Sequence, residues 1–127
     1  MTAEHLQERT KKFSLQIIFL FRALPKTTDA QVIGRQLLRA ATSVAANYRA
    51  ACRARSKAEF VAKLSIVVEE ADEVMLWLEL LEEADIVVGE QMRMLHQEAK
   101  ELLYIFSAPR KTAKDAINQS KNNPLNK

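Results

Sequence analysis

The sequence predicts an all-α fold, a four-helix bundle, on three observations. Ala, Leu, Glu, Lys, Arg and Gln dominate a chain of 127 residues that holds only two Gly and three Pro, the composition of long helices. Apolar residues recur at alternating spacings of four and three, and the period-two alternation of strands is missing. Breaker signals then cut the chain into four long segments with short connections, which favours an antiparallel up-down-up-down arrangement.

The first helix offers Leu6, Thr10, Phe13, Ile17, Leu20 and Leu24 as one apolar stripe, the seam of a left-handed bundle. "LPKTTD" at 24–29 ends it: Pro25 follows the last apolar position, and Thr28 or Asp29 can cap what comes next. Helix two buries Ile33, Leu37, Val44, Tyr48 and Ala51. A break follows in "RARSKAEF", where Ser56 and Glu59 make a capping-box pattern. Helix three repeats the seam with Phe60, Leu64, Val67, Ala71, Val74, Leu78 and Leu81. The third break, "EADIVVGE", holds Gly89 and three apolar residues able to tuck under the loop. After Phe106 the text turns polar, so the bundle is assigned to 1–118 and a disordered polar tail to 119–127.

Composition excludes several classes. Cys52 is the only cysteine, so no disulfide can form within the chain, and a reducing cytoplasm is the expected compartment. The apolar patch at 17–21 has no cleavage site after it, and no apolar run approaches the ~18 residues a membrane span needs. Export and membrane insertion are not expected.

A net charge of +3 conceals a segregated layout. Residues 1–57 carry 11 Lys/Arg against 3 Asp/Glu, residues 58–105 carry 3 against 12, and residues 106–127 carry 5 against 1. Either a basic surface awaits an anionic partner, or a basic helix faces an acidic one.

Helix two concentrates this charge. With Arg35 at zero, Arg39 falls near ~40°, Arg49 near ~320° and Arg53 back at ~0°, opposite the buried face and spanning about 27 Å. Arg55 and Lys57 continue the charge past the break. Arginine's planar fork suits phosphates and carboxylates alike, so RNA and the acidic third helix are both candidate partners. Thr42 and Ala46, small residues in the middle of the stripe, permit close approach.

Helix three poses a second question, because "VMLWLELL" at 74–81 is apolar almost all round. A helix apolar on two sides must bury both. Ile66, Leu76, Trp77 and Leu80 are therefore candidate contacts with another subunit, with Trp77 folded against the next helix of its own chain as the alternative.

An enzyme is not expected. Neither His5 nor His96 completes the Glu-x-x-His pairs of a di-metal bundle, Ser43 and Cys52 lack a base, and no glycine loop cradles a nucleotide. Metal, cofactor and small-molecule substrate are all absent from the expectation. Ser43 and Asn47, one turn apart, read as structural polar residues that fix helix register. Glu70 and Glu73 read as partners for Lys63, Arg39 or a neighbouring subunit.

"RQLLRAATSVAANYRAACRARSKAEFVAKLSIVVEEADEVMLWLELL", residues 35–81, resembles the bacterial 23S ribosomal RNA intervening-sequence proteins. Arg39, Ser43, Val44 and Asn47 match that family's R-[AS]-x-x-S-[IV]-x-x-N core, and Ser56, Lys57, Glu59 and Phe60 its S-K-x-[ED]-F junction. Ile66, Glu70, Ala71, Glu73 and the run Trp77 to Leu81 match its third element. Ala50 stands where many relatives carry Glu, which leaves Arg49 and Arg53 less neutralised, and Val67 replaces the usual Ala. The resemblance implies a small antiparallel bundle assembled into rings, typically pentamers. A similar bundle, the accessory protein of diversity-generating retroelements, assists a reverse transcriptase by binding it and nucleic acid. RNA or a nucleic-acid-handling protein is thus the implied partner, and a pure protein-interaction ring is the second expectation.

Overall fold

The computed structural model describes residues 2–122, with side chains through Ala108. Four helices follow one another: α1 (Ala3–Ala23), α2 (Thr28–Ala51), α3 (Lys57–Glu83) and α4 (Glu90–Asn122). Among the described residues there is no strand. Of the tail expected at 119–127, residues 119–122 are the last of α4, and 123–127 lie outside the described residues.

Each boundary has a local cause. Thr2 caps α1 by accepting the His5 N–H at 3.0 Å. Leu24 leaves the helix at ψ 148°, as the ring of Pro25 demands of the residue before it. α2 starts one residue earlier than the expected caps: Thr27 is the N-cap, with no side-chain bond to the helix, and Thr28 and Asp29 lie inside the first turn. Asp29 still serves that turn, because its Oδ1 accepts the Ala30 N–H at 2.8 Å.

Ser56 caps α3 as the motif requires, accepting the Glu59 N–H at 3.0 Å. The Glu59 carboxylate reaches back to the N–H of Arg55, at 3.4 Å, one residue short of the usual partner. At its other end α3 closes in a Schellman motif: Ile86 N–H bonds Leu81 O at 2.9 Å and Asp85 N–H bonds Glu82 O at 3.0 Å. Asp85 occupies the left-handed position there, at φ 59°. Gly89 takes φ 95°, a conformation glycine tolerates best, and starts α4. Ile86 and Val87 tuck against the core, whereas Val88, the third apolar residue of that loop, is exposed.

The core is built on the stripes the spacing indicated for α1, α2 and α3, and α4 adds a set that was not read from the sequence. Phe13, Ile17, Leu20 and Leu24 meet Leu37, Val44 and Tyr48, then Leu64, Val67, Val74, Leu78 and Leu81, with Met92, Leu95, Leu102 and Phe106 from α4. Leu6 and Phe60 are only partly buried, at the ends of their seams. Ala40 and Ala41 are buried, and small side chains there let α1 approach closely enough for Ser14 Oγ to donate to Ala41 O at 3.2 Å. Gly34 does the same near the first turn: a Cβ on it would lie 2.4 Å from Leu24 Cδ1. The alanines and glycine of α2 are therefore packing residues.

α2 packs on α1 and α3, α3 packs on α4, and α1 meets α4 at few points. α1 and α3 have no close backbone approach, so each turns the face opposite its core stripe away from the other.

Candidate nucleic-acid interface

Two groups of charge hold the bundle or edge it, and they differ in whether a partner is present. Arg39 belongs to the first. Its Nη1 donates to both Glu70 oxygens at 3.1 Å, and its Nη2 to Glu73 Oε1 at 2.6 Å. Glu70, ahead of Glu73, raises the Arg39 guanidinium above its ordinary pKa, since losing the proton would break these bonds. One arginine of the predicted stripe is thus consumed by acidic α3.

The remaining cations of the set differ. Arg35, Arg49, Arg53, Arg55 and Lys57 are exposed, and none of their charged side-chain groups has a carboxylate partner among the described residues. Their placement corrects the expected stripe. α2 ends at Ala51, two residues before Arg53, so Arg53 stands on the turn and not on the helix face shared by Arg35, Arg39 and Arg49. The physical reason is local: Arg53 N–H bonds Ala50 O and Ala54 N–H bonds Ala51 O, each at 3.0 Å, a tightened turn that closes α2. Arg49, Arg53, Arg55 and Lys57 fall within nine residues at one end of the bundle, where the free N–H groups opening α3 add positive potential. The carbonyl end of α2 lies there too and favours Arg49 on its own account.

Beside this cluster Tyr48 is buried, and its ring meets Phe106 of α4 at 4.9 Å between centroids. Burial, then the neighbouring Cys52 thiol, pushes the Tyr48 hydroxyl above the usual phenol range, so it stays protonated. Cys52 itself is exposed, at the C-cap of α2.

Ser43 and Asn47 do not bridge helices as expected. Asn47 Nδ2 donates to Ser43 O and Ser43 Oγ, each at 3.0 Å, so the pair closes on its own helix. Thr42 likewise turns its hydroxyl back, to Leu38 O at 2.8 Å, and with Ala46 is exposed.

The candidate interface residues of α3 divide. Ile66, Leu76 and Leu80 are exposed, at 38%, 45% and 38%. Trp77 instead packs partly on the core, with its indole N–H buried and without a hydrogen-bond partner. Position 77 lies one turn beyond Glu73, on the side of α3 from which Glu73 reaches Arg39 of α2.

Sequence reasoning missed Arg9. From α1 its Nε and Nη2 donate to the two oxygens of Glu98 on α4, both at 2.7 Å, and Nη2 also reaches Glu101 at 2.8 Å. The Glu98 bonds raise its pKa further above an already high ordinary value, against the opposing effect of burial. The available signal was Arg9 beside seam residue Thr10, with two glutamates three apart on α4. A groove of about 1130 Å³ runs along α1 and α4, past Arg9, Lys12, Leu15, Arg93, Met94 and Glu98. None of the six predicted basic residues lines it. His96 is half-buried, its Nε2 3.9 Å from Glu79 Oε1.

Among the described residues no helix is long and apolar enough to cross a membrane, and no group of three or more His, Cys, Asp or Glu is placed to hold a metal.

Four helices around one core, edged by arginines without carboxylate partners among the described residues, define a small all-α bundle protein. The chain belongs to the 23S rRNA-intervening sequence protein family, whose model matches residues 5–108. It is similar to a crystallised protein of unknown function from the S23 ribosomal protein family of Bacteroides thetaiotaomicron, at 31% identity and TM-score 0.80, covering 87% of this chain and 99% of that one. No curated protein matches the chain.

Proposed function

We propose that this chain is a non-enzymatic, cytoplasmic nucleic-acid-binding protein that holds RNA by its phosphates, through the basic cluster at the α2–α3 junction of a homo-oligomeric ring. The carrying observation is that Arg49, Arg53, Arg55 and Lys57 crowd one exposed end of the bundle without carboxylate partners among the described residues. Arg35 extends the set along α2. Arginine forks bind phosphate bidentately, and a ring, a pentamer by resemblance, would multiply the cluster into a sequence-indifferent site with steep salt dependence.

An antiparallel up-down-up-down course is part of the reading. Arg39 and its partners Glu70 and Glu73 stand about equally far on either side of the α2–α3 turn, as paired residues of antiparallel neighbours do. One observation favours a second reading, a protein-interaction ring: Arg39 spends its charge on α3.

The test is RNA binding by the purified chain at ~50 and ~200 mM salt, comparing wild type, Arg49→Glu/Arg53→Glu/Arg55→Glu and Arg39→Glu. The reading expects the triple variant to lose salt-sensitive binding and Arg39→Glu to keep most of it. No binding by wild type removes RNA from the account and leaves the interaction ring, and equal binding by the triple variant overturns the cluster by putting the RNA on another surface.

A further inference from the structure

Two helix faces of this bundle are left without a covering element, and they carry the same pattern in opposite charge. On α1, Lys12, Leu15, Phe19 and Arg22 follow at spacings of three, four and three. Leu15 and Phe19 are 44% and 58% exposed, and Arg22 sits over the Phe19 ring at 6.0 Å. On α3, Leu76, Leu80 and Glu83 repeat the last two spacings, with Leu76 and Leu80 at 45% and 38%, and exposed Asp72 supplies the charge at the other end, because Glu73 is held by Arg39 of α2. The apolar residues of each set lie opposite their own helix's core stripe, around ~160 to 260° from it at 100° per residue. Cation, apolar, apolar, cation on one helix thus answers anion, apolar, apolar, anion on the other.

Within one chain these faces never meet, because α1 and α3 have no close backbone approach and point them apart. Between chains they can. We infer that the outer face of α1 docks head to tail on the outer face of α3 of a second copy of this chain, an inference that rests on the ring reading above.

Charge complementarity selects this occupant. A two-fold contact of α1 on α1 would set Lys12 and Arg22 against the same cations, and α3 on α3 would set Glu83 against Glu83. The heterologous pairing matches apolar to apolar and plus to minus, and it leaves the pair one free face of each kind, an α3 face on one copy and an α1 face on the other, which is what a closing ring needs. Glu73 keeps Arg39 as its partner within the chain, and exposed Asp72 beside it is available to the incoming cation. Ile66, 38% exposed, extends the apolar strip of α3. The basic cluster at the α2–α3 junction is not consumed by this contact.

The experiment is mass measurement of the full chain by sedimentation and native mass spectrometry. Two variants are compared, Leu15→Ser/Phe19→Ser and Leu76→Ser/Leu80→Ser, with helix content checked by circular dichroism. Wild type is expected well above its monomer mass of 14.4 kDa, and each variant at that mass. An equimolar mixture is expected to form a one-to-one pair and stop there, because one intact α1 face meets one intact α3 face. A monomeric wild type, a variant that still assembles, or a mixture that stays monomeric overturns the inference. Should either serine variant unfold, Lys12→Glu/Arg22→Glu is expected to fall to monomer and to pair with Asp72→Lys/Glu83→Lys; failure to do so overturns it equally. RNA binding is read separately on the monomeric variants, whose basic cluster is intact, so loss of the RNA reading and loss of this interface give different results.

Discussion

The guanidinium of Arg9 on α1 is held by the carboxylate of Glu98 on α4 through two parallel hydrogen bonds of 2.7 Å, across the side of the bundle where the helices touch least. The Arg9 side chain is only 17% exposed, and that of Glu98 27%. Removing one partner leaves a half-buried charge unsatisfied, so Arg9→Ala should cost about 1–3 kcal/mol. Arg9→Lys should recover only part, since an ammonium cannot make the fork. Urea unfolding checks this: the midpoint falls in the order wild type, Lys, Ala, at constant slope. Equal midpoints would mean the clamp contributes nothing.

Arg39 also bonds two carboxylates but should matter less for stability. Its side chain is 49% exposed, and exposed pairs contribute about 0.2–1 kcal/mol. Arg39→Ala is therefore expected to lower stability by less than Arg9→Ala, and the difference from wild type should shrink between ~0.05 and ~0.5 M salt. A larger loss that ignores salt would show that the Glu70–Arg39–Glu73 contact is a packing element and not an ion pair.

Asp85 ends α3 at φ 59°, where its Cβ is strained. Glycine removes that strain at the cost of some unfolded-state entropy, so Asp85→Gly should stabilise the chain by about 0.5–1 kcal/mol. Thermal unfolding should show a rise of a few degrees. A fall would point to a role for the Asp85 carboxylate itself.

Asp29 titrates low because the Thr27 hydroxyl, and then the Ala30 N–H, bond its ionised form. A carboxylate whose folded pKa lies below its unfolded one contributes stability above the unfolded pKa, and that contribution is lost as pH falls through the folded one. Wild type should therefore lose stability relative to Asp29→Asn on acidification from about pH 5 to about pH 2. Parallel curves for the two proteins would exclude a linked Asp29.

What could be read from the sequence was what depends on neighbours along the chain. Pro25, Ser56 and Gly89 announce their breaks because φ restriction, capping and positive φ are local properties, and the four-three spacing that marks Ile17, Leu64 or Leu78 as core depends only on helix pitch. The one-residue error at the start of α2 and the displacement of Arg53 have the same origin. A helix end is a contest of nearly equal local bonds, and the tight turn after Ala50 decided it.

The sequence by itself determined that this is an all-α bundle of the intervening-sequence family, which residues of its first three helices form the core, and that arginines gather around the α2–α3 junction. Only the tertiary structure decided which charges are already spent: Arg9 on Glu98 and Arg39 on Glu70 and Glu73, while Arg49, Arg53, Arg55 and Lys57 remain exposed without such partners among the described residues. It also separated Trp77, turned inward, from Ile66, Leu76 and Leu80, which stay outside. The reason is physical: periodicity fixes the direction of a side chain about its own helix, but whether a charge or an apolar group meets a partner depends on which helix lies beside it and at what height.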